Sequence, residues 1–260
     1  MSIIHFTKYQ GTGNDFIVID NFRGQIDNLS TQEIKVLCNR RLGIGADGVI
    51  IIEKSKSSDF YMNYFNSDGS KSFCGNGSRC AVHFANRLGL ISNETKFEAI
   101  DGVHFASIHE KNISIQMCSV SNIENRKNNF VLNTGSPHFV KTSEDISSEY
   151  IREFGKSIRY SEDFSKEGIN VNLMNILGEN IIEIATYERG VEDETLSCGT
   201  GATACAIILN ELTPTNGSRT VMVNVKGGQL TINYTCSEGK YTNIFLTGPA
   251  IPVFNGTIEI

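Results

Sequence analysis

The chain lacks several features that would point to particular classes of function. Its Lys and Arg residues form no run longer than a pair, and its net charge is −6. This balance argues against nucleic acid and anionic membranes as main partners. No apolar run approaches the ~18 residues that a membrane-spanning helix needs. The opening MSIIHFTKYQ lacks the basic and long apolar regions of a signal peptide, so we expect a cytoplasmic location.

The seven cysteines also lack the spacing of a disulfide or zinc framework. Their number is odd, none forms a C-x-x-C pair, and the five histidines are scattered. No metal is therefore expected. Cysteine outside such frameworks is commonly a small buried apolar residue. We expect this of five cysteines, which are Cys38, Cys80, Cys118, Cys205 and Cys236.

A nucleotide-binding fingerprint is missing too. The stretch GTGNDF at 11–16 contains G-x-G but leads into the strand-like run FIVID and not into a helix. It therefore does not match the dinucleotide-binding motif. No cofactor is expected from the sequence.

Two short phrases share the pattern C-G-x-G, one in each half of the chain. They are SFCGNGSRCA at 72–81 and SCGTGATACA at 197–206, so Cys74 and Cys198 lie 124 positions apart. A helix N-terminus stabilises a thiolate and can hold a carboxylate. A glycine-rich turn with an inert thiol explains either phrase alone. The duplication favours a pair of catalytic thiols.

Short strand-like runs dominate the chain, and the short gaps between them favour antiparallel pairing. We expect an α+β fold of two pseudo-symmetric halves, each a mainly antiparallel sheet wrapped around one buried helix. The polar segment 121–129 is the candidate boundary. It gives an N-terminal half at 1–121, to which a strand at 250–260 returns, and a C-terminal half at 122–249.

Four helices are predicted. One covers 30–42, where Ser30 and Glu33 form a capping box, and another covers 143–154. The other two follow the C-G-x-G phrases. Within the second of these, ATACAIILNEL is apolar nearly all round, which is typical of a buried helix.

A pair of thiols suits proton transfer at the α-carbon of an amino acid. Inversion of that carbon needs a base on one face and an acid on the other. The charge that develops on the α-carboxylate would be stabilised by two helix N-termini. A thiolate and a thiol exchange their roles after each turnover, so this chemistry needs no cofactor.

An ordered set of motifs extends beyond these two phrases and covers nearly the whole chain. In order they are GTGNDF (11–16), RLGIGADG (41–48), FNSDGS (65–70), CGNGSRC (74–80), GSPH (135–138), INVN (169–172), YERG (187–190) and ETLSCGTGATA (194–204). With these motifs the chain resembles the diaminopimelate epimerase family. The resemblance implies a site in the cleft between the two halves. It also implies cofactor-independent interconversion of LL- and meso-2,6-diaminopimelate, in the synthesis of lysine and peptidoglycan precursors, by a homodimer.

The resemblance also implies roles for single residues. Cys74 and Cys198 match the two catalytic cysteines, the first being the usual proton donor and the second the acceptor in the LL-to-meso direction. His138 and Glu188 match positions that support the site or tune a cysteine pKa. The substrate-binding positions are Asn14, Asn66, Gly75, Asn76, Asn170, Glu188, Arg189, Gly199 and Thr200.

The Glu188–Arg189 pair also has a chemical rationale. Arg189 suits a bidentate grip on a carboxylate and Glu188 suits an ammonium group, as a substrate with an amino acid at each end requires. An exposed charged turn explains this pair when it stands alone, and turns or caps explain each asparagine.

Three departures from the family pattern concern loops. Ser136 stands where the family commonly has Asn. The spacing from Asn66 to Cys74 is one residue shorter, and the spacing from Gly190 to Glu194 is one residue longer. None of these departures removes a candidate acid or base.

Four alternatives remain open at the level of sequence. A proline or hydroxyproline racemase would keep the paired cysteines without a distal clamp. A phenazine-biosynthesis-type isomerase would share the fold but not the cysteine pair. A cysteine hydrolase would pair one thiolate with His83 or His138 and leave one C-G-x-G phrase unexplained. A non-catalytic anion-binding protein would keep the glycines and tolerate serine at both cysteines.

Overall fold

A computed structural model describes residues 3–260 of the chain. The chain forms two compact units. The first extends to Ile115 and also contains Gly248–Ile260, and the second is Gln116–Thr247. The sequence placed the divisions at 121–122 and 249–250.

Four helices and seventeen strands lie within residues 3–260. The helices are α1 (Thr31–Cys38), α2 (Gly75–Arg87), α3 (Ser148–Arg159) and α4 (Gly199–Leu212). The strands are β1 (Ile3–Gly11), β2 (Asn14–Asp20), β3 (Gly48–Glu53), β4 (Phe60–Asn66), β5 (Glu94–Ala99), β6 (Gly102–His109), β7 (Asn112–Gln116), β8 (Ile123–Arg126), β9 (Asn129–Asn133), β10 (Pro137–Thr142), β11 (Asn170–Gly178), β12 (Ile181–Glu188), β13 (Asp193–Thr195), β14 (Gly217–Val225), β15 (Gly228–Ser237), β16 (Lys240–Pro249) and β17 (Ile251–Glu259). The α+β class expected from the sequence is confirmed.

The first unit alternates antiparallel and parallel strand pairs. β1 pairs antiparallel with β2 and with the returning strand β17. β2–β3 and β4–β5 are parallel, whereas β3–β4, β5–β6 and β6–β7 are antiparallel. A mainly antiparallel sheet was expected, and the two parallel pairs were not predicted individually. Each parallel crossover contains a helix, α1 or α2, which supplies the length that such a connection needs.

The second unit repeats the same succession within itself. β9–β10 is antiparallel, β10–β11 is parallel across α3, and β11–β12 is antiparallel. β12–β14 is parallel across α4, and β14–β15 and β15–β16 are antiparallel. The predicted internal duplication is therefore present in the order of strand pairs as well as in the two cysteine phrases.

The strands of each unit are covered on both faces. Alternate side chains of a strand point to opposite sides of the sheet, and each side packs in its own hydrophobic cluster. In the first unit, Phe16 and Val18 of β2 pack in the cluster that contains α2. Ile17 and Ile19 pack in the cluster that contains α1. The second unit has the same division, with one cluster around α4 and another that includes Ile151 of α3. Residues 202–209 of α4 have no exposed surface, so the prediction of a buried helix is confirmed.

Three helix termini differ from the prediction. The capping box at Ser30 and Glu33 is present, but α1 ends at Cys38 and not at residue 42. α3 begins at Ser148 and not at residue 143, and it continues through Gly155, which was expected to end it. An ideal Cβ on Gly155 would lie 2.4 Å from Tyr187 Cβ. This glycine therefore allows the helix to pack closely on β12.

The expectation of burial is wrong for one cysteine. Cys38, Cys80, Cys205 and Cys236 are buried, but Cys118 is exposed. The strand β7 ends at Gln116, and in the segment that follows it is residues 117 and 120 that turn inward. No helix within residues 3–260 has the length and apolar character needed to cross a membrane.

Candidate active site

The two C-G-x-G phrases have the same local structure. Cys74 is the N-cap of α2 with φ −135° and ψ 110°, and Cys198 is the N-cap of α4 with φ −123° and ψ 110°. Each thiol therefore lies at the positive end of a helix that is the central element of its unit. The prediction that each phrase opens a helix is confirmed. Cys198 is buried and Cys74 is half-buried.

The Cys74 centre brings together three of the predicted site residues, Asn14, Cys74 and Asn76. The Cys74 sulfur accepts the backbone N–H of Gly77 at 3.4 Å and lies 3.7 Å from Asn14 Oδ1. Asn76 Nδ2 donates to the same Asn14 oxygen at 3.3 Å. The first residue of β2 and the first turn of α2 thus meet at the thiol.

A carboxylate that the sequence analysis did not single out orients Asn14. Asn14 Nδ2 donates to Asp47 Oδ2 at 2.5 Å, which directs Asn14 Oδ1 towards the Cys74 sulfur. Arg40 in turn binds Asp47 at 2.8 Å and grips Asp15 through two nitrogens. Asp47 lies within the motif RLGIGADG and Arg40 directly precedes it. The sequence therefore marked this segment but did not indicate the role of either residue.

Asp15 is the most strongly bound carboxylate of this network. Burial raises its pKa, but hydrogen bonds and charge from Arg40 and Lys8 outweigh burial and lower the pKa to about 2. The Lys8 ammonium lies 2.8 Å from Asp15. The carboxylate is therefore ionised at neutral pH and anchors the start of β2.

Asn66 organises the loop that leads to Cys74. Its Nδ2 donates to Ser70 Oγ at 3.0 Å and to Ser72 Oγ at 3.1 Å. These contacts lie within the loop between Asn66 and Cys74, which is one residue shorter than the family pattern. Both serines accept hydrogen bonds from the Asn66 amide and so stabilise this loop.

The Cys198 centre consists of Cys198, Thr200 and His138. The Cys198 sulfur lies 3.4 Å from Thr200 Oγ1, and His138 Nε2 lies 2.9 Å from the same hydroxyl. Thr134 Oγ1 donates to the Thr200 carbonyl at 2.8 Å. No side chain caps α4, so its first turn differs in this respect from that of α2.

His138 is buried in a neutral form. Burial, with a smaller contribution from the positive charge of Arg189, lowers its pKa to about 3, although a hydrogen bond from Asn172 acts in the opposite direction. The ring has no exposed surface. It can therefore orient a neighbour but is a weak base at neutral pH.

Asn170 links this centre to the Glu188–Arg189 turn. Asn170 Oδ1 accepts the backbone N–H of Arg189 at 2.8 Å, and its Nδ2 lies 3.5 Å from His138 Nε2. The Arg189 side chain is exposed and donates to the Glu167 carbonyl at 2.9 Å. Glu188 is half-buried at the end of β12.

Two further polar side chains are buried beneath the Cys198 centre, and the sequence analysis did not single them out. Asn172 has no exposed surface and Thr186 is 3% exposed. Asn172 lies two residues after Asn170 in β11 and so on the same face of the strand. That spacing within INVN was the available signal. No group of three or more His, Cys, Asp or Glu side chains within residues 3–260 is placed to hold a metal ion.

Comparison with known proteins agrees with this arrangement. The family model described as diaminopimelate epimerase matches residues 6–123 and 130–253. The chain belongs to the diaminopimelate epimerase family. It is 49% identical over 253 residues to the diaminopimelate epimerase of Flavobacterium psychrophilum, covering 96% of this chain and 98% of that one. It is 38% identical to the enzyme of Aquifex aeolicus over 277 residues, covering 98% of each.

Solved structures with the same fold are more distant in sequence. A Bacillus anthracis phenazine biosynthesis protein of the PhzF family has a TM-score of 0.77 at 12% identity and covers 100% of both chains. A hydroxyproline epimerase from Agrobacterium vitis has a TM-score of 0.69 at 12% identity and covers 98% of this chain and 92% of its own. At this identity the similarity establishes the fold alone.

Proposed function

We propose that the protein is a cofactor-independent isomerase that interconverts LL- and meso-2,6-diaminopimelate. The observation that carries the proposal is the repetition of one local structure. Each unit presents a cysteine at the N-cap of its central helix, before a glycine-rich first turn. Membership of the diaminopimelate epimerase family supports the choice of substrate.

In the proposed reaction, a proton leaves one face of the α-carbon and another arrives on the opposite face. In the LL-to-meso direction the Cys198 thiolate removes the α-proton, and the electron pair left on carbon delocalises into the α-carboxylate. The Cys74 thiol then donates its proton to that carbon. The reverse direction exchanges these roles. The reaction requires both sulfurs to reach one carbon and consumes no cofactor.

The reacting carboxylate is proposed to bind to the first turns of α2 and α4. The N–H groups of Gly75, Asn76, Gly199 and Thr200 lie at helix N-termini, where the helix dipole favours negative charge. Charge on the carboxylate grows as the proton leaves, so these donors stabilise the transition state more than the substrate. Gly75 and Gly199 carry no side chain that would keep the carboxylate from the backbone.

Two charged side chains are proposed to hold the distal amino acid of the substrate, and three asparagines are proposed to contact the substrate. Arg189 supplies a planar guanidinium for the distal carboxylate, and Glu188 supplies a carboxylate for the distal ammonium group. Asn170 fixes the backbone of Arg189. Asn14 lies against the Cys74 sulfur, and Asn66 holds the neighbouring loop. A racemase of proline, which has a single amino-acid centre, has no use for the clamp at 188–189.

The cysteine hydrolase alternative has less support from the geometry. A hydrolase needs a histidine that accepts a proton from the thiol. Thr200 Oγ1 binds both the sulfur and the imidazole at the Cys198 centre, and the pKa of His138 is lowered to about 3. His83 contacts the Tyr9 hydroxyl, and burial lowers its pKa as well.

We propose further that the enzyme works in the cytoplasm, in the synthesis of lysine and peptidoglycan precursors, and as a homodimer. The location and the biosynthetic role follow from the substrate, and the homodimer rests on family resemblance. Light scattering of the purified protein would decide the oligomeric state. A mass of twice 28.7 kDa is expected, and a monomeric mass would reject it.

Solvent-deuterium exchange tests the proposal. The reduced protein is incubated with LL-diaminopimelate in D2O without added pyridoxal phosphate, and the α-proton is followed by NMR. Loss of the α-proton with appearance of meso product is the expected result. Parallel samples contain proline and hydroxyproline. Exchange of those substrates instead would retain the two-thiol chemistry and reject diaminopimelate, and no exchange with any would return both cysteines to a capping role.

A further inference from the structure

The hydrogen-bonding capacity of Asn172 fixes how its side-chain amide is oriented. Asn172 Nδ2 lies 3.1 Å from the Phe139 carbonyl oxygen and 3.0 Å from His138 Nδ1. A carbonyl only accepts, so the atom facing it must be the amide nitrogen. Thr186 Oγ1 donates to Asn172 Oδ1 at 2.9 Å and completes the set. The reverse orientation would place two oxygens against each other in a site with no exposed surface.

This orientation determines the tautomer of His138. The amide nitrogen of Asn172 can only donate, so His138 Nδ1 must accept and carries no hydrogen. Burial and the nearby charge of Arg189 keep the ring neutral, so its single hydrogen is on Nε2. That N–H points to Thr200 Oγ1 at 2.9 Å. Asn170 Nδ2 lies 3.5 Å from the same nitrogen. Both groups carry hydrogens in this tautomer, so this long contact is not a hydrogen bond.

The hydroxyl of Thr200 then has one role left. It accepts from His138 Nε2, so its own hydrogen is available to the Cys198 sulfur at 3.4 Å. A hydrogen bond donated to the sulfur favours the thiolate over the thiol. The Cys74 sulfur also accepts a hydrogen bond, from the Gly77 backbone N–H, but its side-chain neighbour is Asn14 Oδ1, which only accepts. The two centres therefore differ in the side-chain group beside the sulfur, which is an acceptor at Cys74 and a donor at Cys198.

We propose that Asn172 is a positioning residue that holds His138 as the Nε2–H tautomer, so that Thr200 donates a hydrogen bond to the Cys198 sulfur. The close packing of Gly201 against Asn172 supports this role for Asn172. An ideal Cβ on Gly201 would lie 2.5 Å from Asn172 Oδ1. The second glycine of the C-G-T-G phrase therefore makes room for Asn172 beneath the first turn of α4.

The series of hydrogen bonds from Asn172 through His138 and Thr200 to the Cys198 sulfur, here called the relay, can be tested without substrate. The protein is labelled with ¹⁵N-histidine, and long-range proton–nitrogen spectra identify which ring nitrogen of His138 carries the hydrogen. The expected result is a hydrogen on Nε2 and none on Nδ1. A hydrogen on Nδ1 of His138 in the unsubstituted protein would overturn the inference at once, whatever the variants do.

Variants then test the role of Asn172. Asn172→Asp places an acceptor opposite Nδ1, so it should move the hydrogen from Nε2 to that nitrogen. The rate of iodoacetamide alkylation at Cys198, resolved by peptide mass spectrometry at pH 7, should fall about tenfold if the thiol pKa rises by about one unit. The matched control is Asn175→Asp, a half-buried position on the same strand, which should leave both readouts unchanged.

A second substitution keeps the inference falsifiable if Asn172→Asp unfolds. Thr200→Val removes the hydroxyl and should slow alkylation of Cys198, whereas Thr200→Ser restores the hydroxyl and should recover most of the rate. Equal rates for the valine and serine variants would overturn the relay. The inference rests on the proposed function only for its effect on turnover. A protein with the Nε2 tautomer but no exchange of diaminopimelate would reject the function and keep the relay.

Discussion

The two cysteines have matching backbone conformations but different partners. The Cys74 sulfur accepts a backbone N–H from within its own helix, whereas the Cys198 sulfur has the Thr200 hydroxyl beside it. Both lie at the positive end of a helix, which favours thiolate formation. The hydrogen-bond partners and the burial of each sulfur therefore set any difference in proton affinity between the two.

Serine at either cysteine should abolish most of the epimerase activity. A serine hydroxyl retains the N-cap but is a far weaker acid than a thiol, so proton transfer at the α-carbon fails on one face. We expect Cys74→Ser and Cys198→Ser each to lower kcat by about 10²–10⁴-fold, with circular dichroism unchanged. Cys118→Ser, at an exposed position, is the control and should keep full activity. Full activity in either variant would reject the two-thiol mechanism.

Asp47 should affect activity although it contacts Asn14 and acts on the Cys74 thiol only through that residue. Asp47→Asn offers Asn14 a donor as readily as an acceptor, so Asn14 no longer has one preferred orientation. We expect kcat/KM to fall about tenfold, with about 1.4 kcal/mol of transition-state stabilisation lost, and the pH profile of Cys74 alkylation to shift. Asp27→Asn, at an exposed position, should change neither. An unchanged alkylation profile in Asp47→Asn would remove Asp47 from the site.

The residue scale is also where sequence reasoning reached its limit. The motifs located Cys74 and Cys198 and the glycines around them, because the same C-G-x-G phrase occurs once in each half of the chain. Asp47 and Asn172 lay inside recognised motifs, yet their roles depend on which atom faces which. Such a role follows from donor and acceptor geometry in three dimensions, and no spacing encodes it.

At the level of elements, close packing explains where the sequence prediction of helix ends was wrong. Glycine commonly ends a helix, and on that basis Gly155 was expected to end α3. The chain instead uses the missing side chain to bring α3 against Tyr187. The start of α1 was predicted correctly because the capping box at Ser30 is a local signal, whereas tertiary contact decides the use of Gly155.

Gly155→Ala should therefore destabilise the second unit even though alanine favours helices. The new methyl group would meet Tyr187 Cβ at 2.4 Å and Cγ at 2.5 Å, so α3 must move away from β12. We expect a loss of about 1–3 kcal/mol in the free energy of unfolding, measured by urea denaturation. Gly178→Ala, where an added Cβ has nothing within 4 Å, is the matched control. Stability equal to that of the control would show that α3 can shift at no cost.

At the scale of the molecule, both units use the same order of parallel and antiparallel pairs. The sequence predicted two related halves from ten-residue phrases, since each phrase opens a helix that its sheet must cover. It did not predict the parallel pairs. The strands on either side of α1, or of α3, are far apart in sequence, and nothing in the sequence indicated that they would be neighbours in the sheet. Pairing across a helical crossover is decided by burial on both faces of a sheet.

The burial of His138 predicts how the stability of the protein responds to acid. The folded pKa is about 3, and the unfolded pKa is about 6.5, so the unfolded chain binds a proton more readily between these values. The stability is fully present above the unfolded pKa and falls as the pH decreases. The slope from this one group approaches about 1.4 kcal/mol per pH unit. Urea unfolding followed by circular dichroism at pH 7, 6, 5 and 4.5 should reveal this decline.

Two substitutions assign the decline to its source. Glutamine supplies a polar side-chain amide in place of the imidazole but cannot titrate, so His138→Gln should flatten the slope between pH 6.5 and 4. His109→Gln, at an exposed position on β6, should not change it. Below pH 4 a second loss is expected, because the folded pKa of Asp15 is lowered to about 2 and its contribution disappears as that carboxyl is protonated. An unchanged slope in His138→Gln would mean that the imidazole is not buried in neutral form, and this would contradict the assignment of His138 Nδ1 as an acceptor of the Asn172 amide.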